Sequence, residues 1–359
     1  MIDKPGLLLV NLGTPKSPAA SDVRPYLREF LSDPRVIDIA GWKRWLLLNL
    51  FILPFRPRAS GEAYEKIWTE QGSPLMLHSV ALRDATRQRL GPDVVVELAM
   101  RYGEPSIASG LRRLFEQRVS RVVVFPLYPQ YSAASTGSTI EKVCEEVSRL
   151  WNVPYLQFVP PFYDHSAYID ACAALAAPVI EQQRPERVLF SFHGVPERQI
   201  GRGDPSGSTC LREGCCDAIT PDNANCYRAQ CYATARALAG QLGVSTDRRV
   251  ICFQSRLGRS PWITPYTDVV IRELAAAGVK RAVILSPAFV ADCLETLEEL
   301  GIRAAEDFRA HGGEELSLVP CVNVTEAWCD AVVRIARESS GWLGPQLSPG
   351  EVAPATARR

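Results

Sequence analysis

Three groups of side chains in this sequence have the types and spacing to do chemistry. The first is a single imidazole. Of four histidines, His193 ends the apolar run RVLFSFH, immediately before Gly194-Val195-Pro196. An imidazole there stands at the mouth of a sheet, where a ligand would lie. It either ties neighbouring backbone together by hydrogen bonds or, as a neutral ring near pH 7, accepts a proton or binds a metal. The second group is Asp292, Glu295 and Glu299, at i, i+3 and i+7 of a helical pattern in SPAFVADCLETLEELGI. This spacing predicts three carboxylates on one helix face, with Glu298 off it. Such a stripe is either a solvated surface or a line of oxygen ligands that holds or passes a divalent cation. The third is Cys210, Cys215, Cys216 and Cys226, set among Gly, Ser, Asp, Pro and Asn. Four thiols in so short a loop meet the ligand count of tetrahedral zinc or of an iron–sulfur cluster. Adjacent Cys215 and Cys216 depart from the CxxC knuckles of ordinary zinc sites. Cys231 follows in YRAQCYATARALAGQL, an amphipathic helix pattern, and reads as structural.

The elements that must position these groups are legible as short apolar runs separated by helix-like stretches. LLLVNL, VVVELAM, RVVVFPLY and LQFV are followed by RVLFSFH, RVICFQS, RAVILS and LSLVP. Continuous apolar runs of this kind are strands covered on both faces, so the pattern predicts a parallel α/β architecture. The halves also repeat. VNLGTP answers SFHGVP, MRYGEPSI answers SRLGRSPWI, and SRVVVFPLYP answers KRAVILSPAF; Arg121 to Pro160 and Arg281 to Pro320 both span 39 residues. Two copies of one unit follow, one over 1–163 and one over 164–340, the second interrupted by the cysteine insert at 206–226. Ligands of such units lie beyond the carboxyl ends of the strands.

Between the first two strands, residues 42–54 carry Trp42, Trp45, Leu47, Leu50 and Phe51, flanked by Lys43, Arg44, Arg56 and Arg58. The run is too short to span a bilayer. It is either a buried helix or an apolar lip that touches a membrane surface or a greasy ligand. Residues 341–359 are poor in large apolar side chains and read as a disordered tail.

Forty basic and forty acidic residues cancel, which leaves no electrostatic footprint for nucleic acid. The first residues lack a cationic lead and a cleavage pattern, so a cytoplasmic protein is expected. Cysteines there stay reduced, and Cys144, Cys172, Cys252, Cys293, Cys321 and Cys329 fall in apolar-periodic segments as small buried hydrophobes.

Taken together, Asn11-Leu12-Gly13-Thr14-Pro15, FLSDPRVID, EAYEKIWTEQGSPL, MRYGEPSI, PLYPQYSAASTGS, SFHGVP and Asp292-Cys293-Leu294-Glu295-Thr296-Leu297 resemble the ferrochelatase family from residue 6 to about 335. The resemblance implies two flavodoxin-like chelatase domains around a porphyrin cleft, and insertion of ferrous iron into protoporphyrin IX to form protohaem. It implies that His193 and Glu295 face each other across the macrocycle as catalytic and iron-binding groups, with Glu299 on a possible metal path. Asn11, Leu12, Arg101, Tyr102, Tyr128 and Trp262 would line the pocket, and Arg56, Arg58 and Ser73 would take the propionates. The insert looks like the segment that carries a 2Fe-2S cluster in certain bacterial relatives, with Cys210, Cys215, Cys216 and Cys226 as ligands. Peripheral membrane contact through the lip is consistent with an apolar substrate, whereas no oligomeric state follows.

The departures are specific. Leu12 stands where some relatives have a tyrosine, Cys293 where animal relatives have His, and Arg303 where several have an acidic residue. Ala133 replaces the distant cluster ligand of the animal enzymes. Two other readings remain: a cobalt or nickel chelatase for another tetrapyrrole, and a non-catalytic tetrapyrrole-binding protein.

Overall fold

The computed structural model describes residues 4–258 and 260–344. All eight apolar runs are strands. The first half runs β1 (Pro5–Asn11), α1 (Ala20–Ser32), α2 (Gly41–Leu46), α3 (Arg56–Glu65), α4 (Pro74–Leu90), β2 (Val95–Met100), α5 (Ile107–Glu116), β3 (Arg121–Pro126), α6 (Ser138–Ser148) and β4 (Tyr155–Phe158). The second runs α7 (Ser166–Gln183), β5 (Arg187–His193), α8 (Glu197–Arg202), α9 (Tyr227–Gln241), β6 (Arg249–Gln254), α10 (Thr267–Ala276), β7 (Arg281–Leu285), α11 (Ala305–Ala310), β8 (Glu315–Leu318) and α12 (Glu326–Ser339). Wide π-helical turns occupy Leu47–Ile52, Ala133–Gly137 and Leu294–Ala304.

The strands form two parallel sheets, ordered β2-β1-β3-β4 and β6-β5-β7-β8. The identical order is the structural counterpart of the sequence repeat, and the fold is the helix-flanked parallel α/β class expected. In each sheet the chain first moves to one side of the opening strand and then crosses to the other. The order therefore reverses between β1 and β3, and again between β5 and β7, and a crevice opens beyond the carboxyl ends at such points.

The inner faces of the two sheets share one core. Phe125 of β3 packs edge-on to Phe162, and Phe162 meets Tyr168 of α7 and Trp328 of α12, with centroids 5.3–5.8 Å apart. Removing one such aromatic costs about 3–5 kcal/mol. α7 opens the second half and lies against β7 and α9, whereas α12, at the end of that half, packs on α7 and also returns to α4 of the first half. There Arg89 reaches Glu326 and, at 2.6 Å, Asp330. The division expected at 163/164 falls in the connection from β4 to α7, and α12 crosses it to pack on α4. Gly341–Leu343 form a turn against β1 with Leu343 buried, so the expected tail begins as ordered chain. Residues 345–359 lie outside the described residues.

The segment at 42–54 is buried only in part. Leu48 and Leu53 anchor it in a small core with Val23, Leu27 and Tyr64, while Trp42, Trp45, Leu50, Phe51 and Phe55 are exposed, Phe51 by 66%. The Arg44 guanidinium holds its base by donating to the carbonyls of Ile37 and Ile39.

Candidate active site

The two repeated motifs, NLGTP and FHGVP, leave β1 and β5 in the same manner, and their glycines explain why. Gly13 has φ +118°, and a Cβ there would sit 1.8 Å from the Tyr102 carbonyl oxygen. A Cβ on Gly194 would meet the Gln254 carbonyl at 2.9 Å and the Trp262 ring at 3.2 Å. Both glycines let the chain turn closely over the loop that follows the neighbouring strand.

Between the motifs lies an open-mouthed cleft walled by both halves of the chain. Both reversal points contribute: Asn11, Leu12, Leu127 and Tyr128 from the first sheet, His193, Gly194 and Ala288–Ala291 from the second. The walls are largely apolar, with His193, Glu295, Tyr26, Tyr64, Ser73, Gln130, Gln199 and Tyr227 as polar points.

His193 Nδ1 lies 2.6 Å from the Gly194 carbonyl oxygen. A carbonyl only accepts, so Nδ1 carries the proton of the neutral ring, and Nε2 keeps the free lone pair. The Tyr227 hydroxyl donates to the His193 carbonyl at 2.8 Å. Buried Gln254 joins His193 to Glu295. Its carbonyl accepts from Gly194 N at 2.8 Å, its amide donates to the Glu295 carbonyl at 2.8 Å, and its own oxygen accepts from Ser191. His193 and Glu295 are both supplied by the second half, from the ends of adjacent strands. Tyr26 and Tyr64 complete the site from the first half. Burial, and after it the charge of Glu295 among other neighbours, raises both phenols, so they stay protonated donors.

The carboxylate stripe is shorter than its spacing predicted. Cys293 is extended, so Asp292 precedes the helix. Its carboxylate instead accepts from Cys321 N, Thr296 Oγ1 and Asn323 Nδ2 as a structural clasp. Glu295 and Glu299 do succeed one another along the wide turn. Glu299 lies behind the cleft, accepting from the Ser255 backbone and hydroxyl. Burial raises its pKa and Glu295 adds to this, against the opposing Ser255 hydrogen bond and His193 charge. Glu298 is buried and paired with Lys66 at 3.1 Å and Arg303 at 3.2 Å.

Asn11, Leu12, Ser73, Tyr128 and Trp262 line the cleft. Arg101 and Tyr102 do not. Arg101 Nη2 donates to Asp33 at 2.6 Å, its Nε donates to Ser138 Oγ, and the Tyr102 hydroxyl donates to Asp33 at 2.9 Å. Burial pushes the Asp33 carboxyl up, but its hydrogen bonds and the Arg101 charge outweigh this and hold it below its ordinary value. Arg58 is exposed and paired with Glu62. Arg56 starts α3 beside the lip, where desolvation lowers its pKa and the charge of Glu295 opposes this only in part. Tyr26, Gln199 and Tyr227 escaped the sequence reading. Tyr64 and Gln130 had a signal only as members of EAYEKIWTEQGSPL and PLYPQYS.

In the insert, the Cys215 and Cys216 sulfurs are 3.7 Å apart. Cys210 and Cys226 form a second neighbouring pair, and Cys226 caps α9. Burial pushes the Cys210 and Cys216 thiols up to about 12, and Arg228 opposes this at Cys216. Among the described residues no group of three or more His, Cys, Asp or Glu side chains is gathered around a single ion position.

The ferrochelatase family model matches residues 4–340. Similar proteins include the ferrochelatase of Coxiella burnetii strain Dugway 5J108-111, 42% identical over 337 residues that cover 94% of each chain. That of Pseudomonas syringae pv. tomato is 46% identical over 340 residues, covering 93% of this chain and 97% of the relative. Among solved structures, SirB from Bacillus subtilis with Fe3+ superposes with a TM-score of 0.52 at 14% identity, covering 94% of this chain and 96% of that one. The cobalt complex of the sirohydrochlorin chelatase SirB from Bacillus subtilis subspecies spizizenii gives 0.53 at 12%, over 94% and 95%. These structures share the fold.

Proposed function

This chain belongs to the ferrochelatase family, lyases that insert ferrous iron into a porphyrin in haem synthesis, and we propose that His193 and Glu295 carry out the insertion. The carrying observation is a largely apolar cleft lined by both halves, into which an imidazole with a free Nε2 and the Glu295 carboxylate open, with Gln254 bracing the backbone behind each, at Gly194 N and at the Glu295 carbonyl. Insertion releases two pyrrole protons and strips water from the iron. It therefore needs a proton acceptor and an oxygen or nitrogen ligand beside the ring nitrogens. His193 and Glu295 supply both, and Glu299 extends the carboxylate line behind them toward Ser255.

The apolar walls suit protoporphyrin IX better than a more heavily carboxylated precursor, with Ser73 inside the cleft and Arg56 beside the lip as partners for the propionates. The exposed lip, with Lys43 over Trp42, suits peripheral contact of a cytoplasmic protein with a membrane surface. No helix among the described residues is long and apolar enough to cross one.

The insert fits a 2Fe-2S cluster on Cys210, Cys215, Cys216 and Cys226. Metal–sulfur bonds of ~2.3 Å at a tetrahedral centre separate two sulfurs by about 3.7 Å, the spacing of the Cys215/Cys216 pair. Four thiols with adjacent Cys215 and Cys216, and none of the CxxC knuckles of ordinary zinc sites, favour the cluster over a single zinc. A cluster bound there would cross-link the insert beside α9.

The test is an anaerobic mixture of purified protein, ferrous iron and protoporphyrin, followed by loss of free-porphyrin fluorescence. Catalytic loss supports the reading. Porphyrin binding without turnover would favour a non-catalytic binder, and turnover confined to cobalt or nickel would favour the other chelatase reading.

A further inference from the structure

The surroundings of the insert are electrically lopsided. Arg228, half-buried in the first turn of α9, points Nη1 at the Cys216 sulfur, 3.3 Å away, and at Cys215, 3.9 Å away. Its aim is fixed. Nη2 donates to the Tyr232 hydroxyl at 3.1 Å, and the guanidinium lies 4.8 Å from the centre of the Tyr232 ring. Residues 228 and 232 are neighbours on one helix face, and the Tyr232 ring stacks on Phe253 of β6. Arg236 also reaches the insert, but it donates to the Cys216 backbone carbonyl and so holds the chain, not a sulfur. At the opposite end, the Asp204 carboxylate accepts from the Cys210 backbone N–H at 2.8 Å and from Thr209 N at 2.9 Å. One thiol pair therefore faces a cation, while the other has a carboxylate beside it.

We propose that Arg228 is the counter-ion of the Cys215/Cys216 end of the insert, so that a cluster held there would be raised in reduction potential. The assignment rests on reading the insert as a 2Fe-2S site. Hydrogen bonds to cluster sulfurs and the net charge around them are the levers by which a protein sets such potentials. A guanidinium donates to sulfur while carrying a full charge, and its planar fork keeps its aim when its second nitrogen is tied elsewhere, as here to Tyr232. Asp204 acts in the opposite sense, more weakly because it borders water.

The experiment uses the full chain as purified, with iron and acid-labile sulfide measured first. Anaerobic titration with dithionite in the presence of redox dyes then adds one electron per cluster, read by bleaching of the visible absorption and by the paramagnetic signal of the reduced form. Arg228→Met should lower the reduced-to-oxidised ratio at the wild-type midpoint by about tenfold, equivalent to about 59 mV for one electron. Arg228→Lys, which keeps charge without the fork, should fall between. Asp204→Asn should shift the ratio the other way by a smaller factor. Full iron and sulfide with an unchanged midpoint in Arg228→Met overturns the assignment. If that variant holds no iron, Asp204→Asn decides: a raised midpoint supports the field across the insert, and an unchanged one overturns it. Wild-type protein with zinc and no sulfide would instead overturn the cluster reading itself, before any variant is compared.

Discussion

Replacing Arg101 by Ala should cost stability and leave the cleft alone. Arg101 is 12% exposed and Asp33 3% by side chain, so the substitution strands a buried carboxylate. Breaking such a pair from one side costs about 3–5 kcal/mol. Asp33 keeps donors from Tyr102, Ser138 and the Arg35 backbone, which places the loss near the lower figure, ~3 kcal/mol, or about a hundredfold in the folding equilibrium. With an unfolding entropy of about 2.1 cal/mol/K per residue, a chain of 359 residues should lose about 4 °C of Tm. The penalty has a pH signature. The Asp33 carboxyl is depressed in the folded state, so its contribution is present above the unfolded value of about 3.9 and is lost as pH falls through the folded value. The gap between wild type and Arg101→Ala should narrow in that acid range. The double variant Asp33→Asn/Arg101→Met should recover part of the loss. Thermal unfolding followed by tryptophan fluorescence reads the stability, and quenching of porphyrin fluorescence reads the cleft. Unchanged Tm with porphyrin affinity weakened tenfold or more would refute this reasoning and return Arg101 to the substrate.

His193→Ala and Glu295→Gln should each reduce iron insertion by at least a hundredfold while porphyrin binding, read by fluorescence quenching, persists; Glu298→Gln should keep its activity per folded molecule but unfold earlier, having lost half of a buried pairing. Because Glu299 is raised in the folded chain, that chain binds more protons than the unfolded one between the ordinary glutamate value and the raised one, and stability falls as pH rises across this window. Glu299→Gln should flatten that slope in denaturant midpoints measured from pH 4 upward. Trp45→Ser with Phe51→Ser should weaken sedimentation with anionic lipid vesicles, each side chain contributing ~1.5–3 kcal/mol when fully buried, with no change in circular dichroism; loss of the fold would place both in the core. Cys226→Ser should lose visible colour and stability together, whereas Cys231→Ser should retain the colour; the reverse would show that the fourth ligand was misassigned.

The strands and the repeat were legible because a parallel strand covered on both faces has to be apolar throughout, and because two copies of one unit keep the same glycines at the same close approaches. His193 was legible for a similar reason, as a polar residue ending a run that is otherwise buried. Arg101 was not. It too ends a strand, but its direction is decided by Asp33, 68 positions away, which no local pattern announces. Asp292 was misplaced because an ordinary helical period was applied to a segment that begins with an extended Cys293 and continues as a wider turn. Tyr227 had no signal, since its role depends on where α9 passes under β5.

The return of α12 to α4 bears on how the polypeptide emerges during synthesis. The first sheet is complete once Phe158 has left the ribosome, but the core that includes Phe125 and Leu82 lacks α12 until residues 326–339 follow, about 170 residues later. At the ~5–20 residues per second of translation, that part of the core stays open for roughly ten to thirty seconds, exposed to solvent and to chaperones. A nascent chain stopped after β8 has every strand, and α7 to lie on β7, but lacks the helix that packs on both α4 and α7, so the core shared by the two halves closes last.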